Sequence, residues 1–109
     1  MTTPLELSTA IREGLDSKDP YYVVVVVRDS EQTKDLVETF KPLCSLFTTT
    51  VWNPENREMK IDNVRISFIP YHADYRQVMA IKLHKLIIGF PVNSLLLEEL
   101  QYRESRGGR

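Results

Sequence analysis

One cysteine, two histidines and four glycines stand in a chain of 109 residues. A lone Cys44 has no partner for an internal disulfide, so oxidation does not hold the fold together. With glycine only at positions 14, 89, 107 and 108, no G-x-x-x-x-G-K-S/T loop is present. The row of backbone N–H groups that would cradle a triphosphate is therefore missing. G-x-S-x-G and S-x-x-K are absent too, no Ser-His-Asp set stands out, and no Cys/His spacing approaches a zinc site. Neither sign of charge dominates: 14 Lys and Arg oppose 15 Asp and Glu, a formal net charge of −1. That argues against whole-domain attraction to nucleic acid or an anionic membrane. No apolar run approaches the roughly 18–20 residues that span a bilayer. The opening Thr2-Thr3-Pro4, with Glu6, Arg12 and Glu13 behind it, does not read as a signal peptide. These absences lead to the expectation of a soluble, cytosol-like protein with no cofactor, no metal and no catalysis.

What is present is the run Tyr21-Tyr22 followed by five valines, Val23 to Val27. A strand with one wet face alternates apolar and polar residues; five valines in a row predict a strand buried on both faces, with helices above and below. Before it, Leu5, Leu7, Ala10, Ile11 and Leu15 fall at helical spacing, with Thr3 as N-cap, Pro4 in the first turn, and Gly14 and Ser17–Pro20 as the stop. After it, Asp29 or Ser30 caps a helix with the face Leu36, Val37, Phe40 and Leu43, ending near Pro42. Leu46–Trp52 is β-branched and aromatic, a strand pattern. Met59, Ile61, Val64, Ile66 and Phe68 alternate about Asp62-Asn63, which predicts a hairpin. A helix over Asp74–His84, a short buried strand over Lys85–Phe90 and a last helix over Leu95–Arg103 complete the order α-β-α-β-β-β-α-β-α. The expected class is α/β: a single three-layer domain over residues 1–102, with a mostly parallel sheet, helices on both faces and an antiparallel hairpin or edge. Residues 103–109 read as a flexible basic tail.

Tyr22 through Ser30 running into Thr33–Phe40, Asn63-Val64-Arg65-Ile66-Ser67-Phe68, and Lys85-Leu86-Ile87-Ile88 followed by Leu95–Tyr102 form a series. In order and hydrophobic pattern it resembles the ATPase core of P-loop proteins of the viral DNA-packaging terminase and helicase type. The resemblance runs loosely over the whole chain. It implies a phage-encoded relative of that core, with Arg28 in the turn after a hydrophobic strand. The departures are specific. The phosphate loop is missing, and Gly89-Phe90 stands where that family's acidic pair follows the strand. Hydrolysis needs both parts, so the resemblance implies a scaffold without the chemistry. The element order is also similar to that of small BRCT-type modules, without their paired glycines or the tryptophan of their last helix.

In a parallel sheet the loops after the strands gather at one edge, the usual ligand side. Here they supply Arg28-Asp29-Ser30, Tyr71-His72-Ala73-Asp74 and Phe90-Pro91-Val92-Asn93, a cation with aromatics suited to a protein contact. The plainer alternative pairs Arg28 with Asp29 and packs Phe90 beneath the last helix. His72 and Asp74 form a base or metal pair on one reading; on the other, Asp74 caps a helix and His72 is a surface turn residue. His84 is placed near a helix C-terminus, favourable to the dipole when charged. Cys44 reads as a small buried hydrophobe or, alternatively, a reactive thiol, and Glu98-Glu99 as a solvated helix face. Trp52 marks a candidate edge strand able to pair with a partner strand or a second copy of the chain. Arg103, Arg106 and Arg109, with Arg76 and Lys82, offer a basic arm for a phosphate backbone. The leading expectation is a non-catalytic protein-interaction module. The alternatives are a nucleic-acid-binding accessory protein and a vestigial nucleotide-binding protein.

Overall fold

The computed structural model describes residues 3–17, 19–44, 50–53, 57–73, 83–92 and 94–105. Its elements are α1 (Thr3–Ser17), β1 (Tyr21–Val27), α2 (Ser30–Cys44), β2 (Thr50–Asn53), β3 (Glu58–Ile61), β4 (Val64–Pro70), β5 (Lys85–Ile88) and α3 (Ser94–Ser105). The strands form one sheet in the order β2-β3-β4-β1-β5. β1 runs parallel to both β4 and β5, while β2/β3 and β3/β4 are antiparallel. This is a mixed α/β sheet, parallel at β1 and antiparallel on one flank. The flank is the hairpin expected about Asp62-Asn63, and Asp62 takes the positive φ, 50°.

The valine run sits in the middle of the parallel part. Val23, Val25 and Val27 join a core with Leu7, Ala10 and Ile11 of α1 and Leu36, Val37 and Phe40 of α2. Val24 and Val26 join a second core with Leu96 and Leu100 of α3, Ala73 and Leu83. Successive strand side chains point to opposite faces, so each parity finds its own apolar cover.

Several boundaries differ from the sequence expectation, among them the end of β5, which lies at Ile88 and not at Phe90. α1 continues through Gly14 to Ser17, because this glycine serves a close approach and not a stop. A Cβ there would lie 2.7 Å from Tyr21 Cδ2 and 2.7 Å from Val64 Cγ2. In an exposed helix Gly→Ala stabilises by about 0.5–1 kcal/mol. Gly14→Ala is expected to do the reverse, lowering the free energy of unfolding in urea by about 1–3 kcal/mol as α1 is pushed off the sheet. Unchanged or higher stability would contradict the close packing. α2 extends past Pro42 to Cys44, and α3 runs on to Ser105.

Residues 74–82 of the expected third helix lie outside the described residues. His84 itself stands just before β5, where its Nδ1 accepts the Tyr22 N–H at 3.1 Å and its own N–H donates to the Tyr22 carbonyl at 2.8 Å. Its ring stacks on Tyr21 and Tyr22, centroids 5.2 and 5.6 Å away. Through this pair of bonds His84 ties the start of β5 to β1.

Asn63 does similar work at the other side of β1. Its side-chain Nδ2 donates to the Gly14 carbonyl at 2.7 Å and to the Asp19 carbonyl at 2.6 Å, and its backbone carbonyl accepts the Tyr21 N–H at 2.9 Å. One turn residue therefore satisfies an orphan carbonyl near the end of α1 and sets the start of β1. Burial raises the Tyr21 phenol above its ordinary value; the charge and hydrogen bond of Glu13 and the charge of Glu104 add to the rise.

Candidate functional site

β1 leads into α2, which shares a core with one set of its valines, while β4 leads to Ala73 in the other core. The described residues that follow these neighbouring parallel strands thus join opposite faces of the sheet. In open α/β sheets the loops after such strand ends are the usual ligand side.

The turn after β1 is built by a cap. Asp29 Oδ1 accepts the Gln32 N–H at 3.0 Å, and the Asp29 carbonyl accepts the Thr33 N–H at 3.2 Å. Gln32 reaches back: its Oε1 accepts the Arg28 N–H at 2.6 Å, and its Nε2 donates to the Gly89 carbonyl at 3.0 Å. This is a capping box shifted one residue outward, with a second arm that fastens the end of β5 to the start of α2. Asp29 Oδ2 takes the Arg28 Nε–H at 3.0 Å. The Gln32 backbone bond first, and then Arg28, hold the Asp29 carboxyl below its ordinary value. The carboxylate is the form that both the cap and the ion pair need.

Aromatic rings lie beside this turn. The Tyr71 N–H donates to the Val27 carbonyl at 2.8 Å, so Tyr71 follows β4 directly alongside the end of β1. Its ring meets Phe90, which follows β5, at 4.7 Å between centroids and 55° between planes. β1 lies between β4 and β5, so the two rings meet across its end. His72 sits edge-on to Tyr71 at 5.2 Å and is exposed. The Arg28 side chain is 54% exposed despite its ion pair.

Of the residues singled out in the sequence, Arg28, Tyr71, His72 and Phe90 are therefore brought to one edge. The plainer reading of Arg28, an ion pair with Asp29, holds as well; Phe90 packs on Tyr71. Trp52 is elsewhere, on β2 at the far end of the strand order and paired with Met59. Arg103 belongs to α3 and not to a free tail; its guanidinium bonds Glu99 at 2.9 Å, one turn back in the helix, where such a pair is in reach. Asp74, Arg76, Lys82, Arg106 and Arg109 lie outside the described residues, as does the Cys44 side chain. No group of three or more His, Cys, Asp or Glu fit to hold a metal occurs among the described residues. None of the described helices is long and apolar enough to cross a membrane.

Gln32 was missed in the sequence although Asp29-x-x-Gln32 carries the capping-box signal. Asn63 has no such signal, since its partners are 49 and 44 residues away. Comparison with protein-family models, with curated proteins and with solved structures finds no match.

Proposed function

We propose that this chain is a non-catalytic protein-interaction module on a three-layer α/β scaffold, binding another protein through the C-terminal edge of β4, β1 and β5. The observation that carries the reading is the Tyr71–Phe90 contact across the end of β1, next to the exposed guanidinium of Arg28. Tyr and Arg on rigid elements are the side chains that most often anchor protein contacts. The backbone beneath them is tied by Gln32 and by Tyr71 N–H, so little order has to be gained on binding. The three-layer part of the proposal is supported by the two cores, one with α1 and α2 and one with α3. Kinship to a packaging-ATPase core belongs to the proposal as well; it rests on element order, and Gly89-Phe90 after β5 leaves it without the metal-holding carboxylates.

The test is capture of partners on immobilised protein from host lysate, with and without nuclease, beside the double variant Arg28→Ala/Tyr71→Ala. The Tyr71 backbone bond survives that change. Expected is a stoichiometric protein that resists nuclease and is lost at least about tenfold in the variant, with the melting temperature nearly unchanged. Capture that persists in the variant, or that fails together with folding, would remove the site. Partners that vanish with nuclease would favour nucleic-acid binding, for which Arg103 is already engaged by Glu99.

A further inference from the structure

Among the described residues, β5 is the outermost strand of the sheet on the side opposite the hairpin. The register pairs Lys85 with Val23 and Ile87 with Val25, and the Gly89 N–H donates to the Val26 carbonyl at 2.8 Å. N–H directions alternate along a strand, so within β5 it is Leu86 and Ile88 whose N–H groups face outward. The first of these has a partner. Glu104, in the last turn of α3, accepts the Leu86 N–H on Oε2 at 2.5 Å. A carboxylate oxygen stands where the carbonyl of a neighbouring strand would stand. Ile88 follows, 36% exposed, with its N–H on the same outward side of the strand.

We propose that the outer edge of β5 is a homotypic interaction site that Glu104 guards. When Glu104 leaves Leu86, the edge pairs antiparallel with β5 of a second copy of this chain. The register supports that occupant. For two outward-facing residues to exchange both hydrogen bonds, Leu86 must lie opposite Ile88 of the second copy, and Ile88 opposite its Leu86. The two-fold axis then falls at Ile87, as an isologous contact requires. Leu86 and Ile88 share one face of the strand, so each apolar side chain meets another across the junction. Lys85 falls opposite Gly89 of the second copy, and no like charges are opposed. The guard is cheap to lift, because Glu104 sits one residue from the end of α3, where helices fray. Charged groups set against sheet edges are a common defence against such pairing. This site is distinct from the C-terminal edge and does not depend on it.

Analytical ultracentrifugation of the full chain across a wide concentration range tests the proposal. Glu104→Ala is expected to dimerise with a dissociation constant at least about ten times lower than that of the wild type. Glu104→Gln, which keeps an acceptor oxygen, should behave as wild type. Adding Ile88→Lys to Glu104→Ala should restore the monomer. Hydrogen exchange on the wild-type chain needs no variant: Leu86 N–H is protected throughout, and Ile88 N–H gains protection as concentration rises. A folded Glu104→Ala that stays monomeric would overturn the proposal. So would rapid exchange of Ile88 at every concentration should that variant fail to fold, and a dimer indifferent to Ile88→Lys.

Discussion

Leu100→Ala is expected to lower the free energy of unfolding by about 2–5 kcal/mol, and Phe40→Ala by about 3–5 kcal/mol. The two residues lie in different cores: Leu100 of α3 is 0% exposed beside Val24 and Val26, and Phe40 of α2 is 4% exposed beside the other valines. Each truncation removes apolar area from water and leaves a cavity that the β1 backbone, held by ladders on both sides, has little freedom to close. Because the sites do not share neighbours, the losses should add. Together they rival the 5–15 kcal/mol that a whole domain commonly has, so the double variant should be largely unfolded. Urea denaturation of the single variants decides the matter. A cost below about 1 kcal/mol for Leu100→Ala would mean that α3 only leans on the sheet, and that one face of the valine run lacks firm cover.

Asn63→Asp changes an NH2 group to an oxygen and keeps the shape, yet it should cost about 2–3 kcal/mol, or on the order of 10 °C in melting temperature. Both donors of the Asn63 amide are in use, to Gly14 and Asp19. The carboxylate has none to offer and would face two carbonyl oxygens at hydrogen-bond distance. Thermal melts at neutral pH read the loss directly. Asn63→Ala removes the same bonds without the repulsion and should lie between the two. A melting temperature for Asn63→Asp equal to the wild type would show that water replaces the amide at no cost, and that the clamp on α1 is incidental.

Much of the architecture was legible because it depends on local pattern. The valine run, the 3.6-residue spacing of Leu7, Ala10, Leu36, Val37 and Phe40, and the alternation from Met59 to Phe68 each report burial through periodicity. The candidate edge was legible for the same reason: once strands and helices alternate, the residues after the strands share one side of the sheet, and Arg28, Tyr71, His72 and Phe90 do. Long-range pairing is not written in any window of the chain. Gly14 reads as a helix stop until Tyr21 and Val64 are seen against it. Nothing local to His84 announces that its Nδ1 takes the Tyr22 N–H, 62 residues away.

By itself, then, the sequence determined the α/β class, the burial of β1 on both faces, the β3–β4 hairpin and the lack of a phosphate loop. These follow from residue type and spacing, which act over a few neighbours. Tertiary structure alone decided the strand order that puts β1 between β4 and β5, and with it the meeting of Tyr71 and Phe90. It alone set Asn63 on the end of α1 and Glu104 on the edge of β5. Those contacts join residues 18 to 49 positions apart, and their partners are chosen by packing of the whole chain, which no local preference encodes.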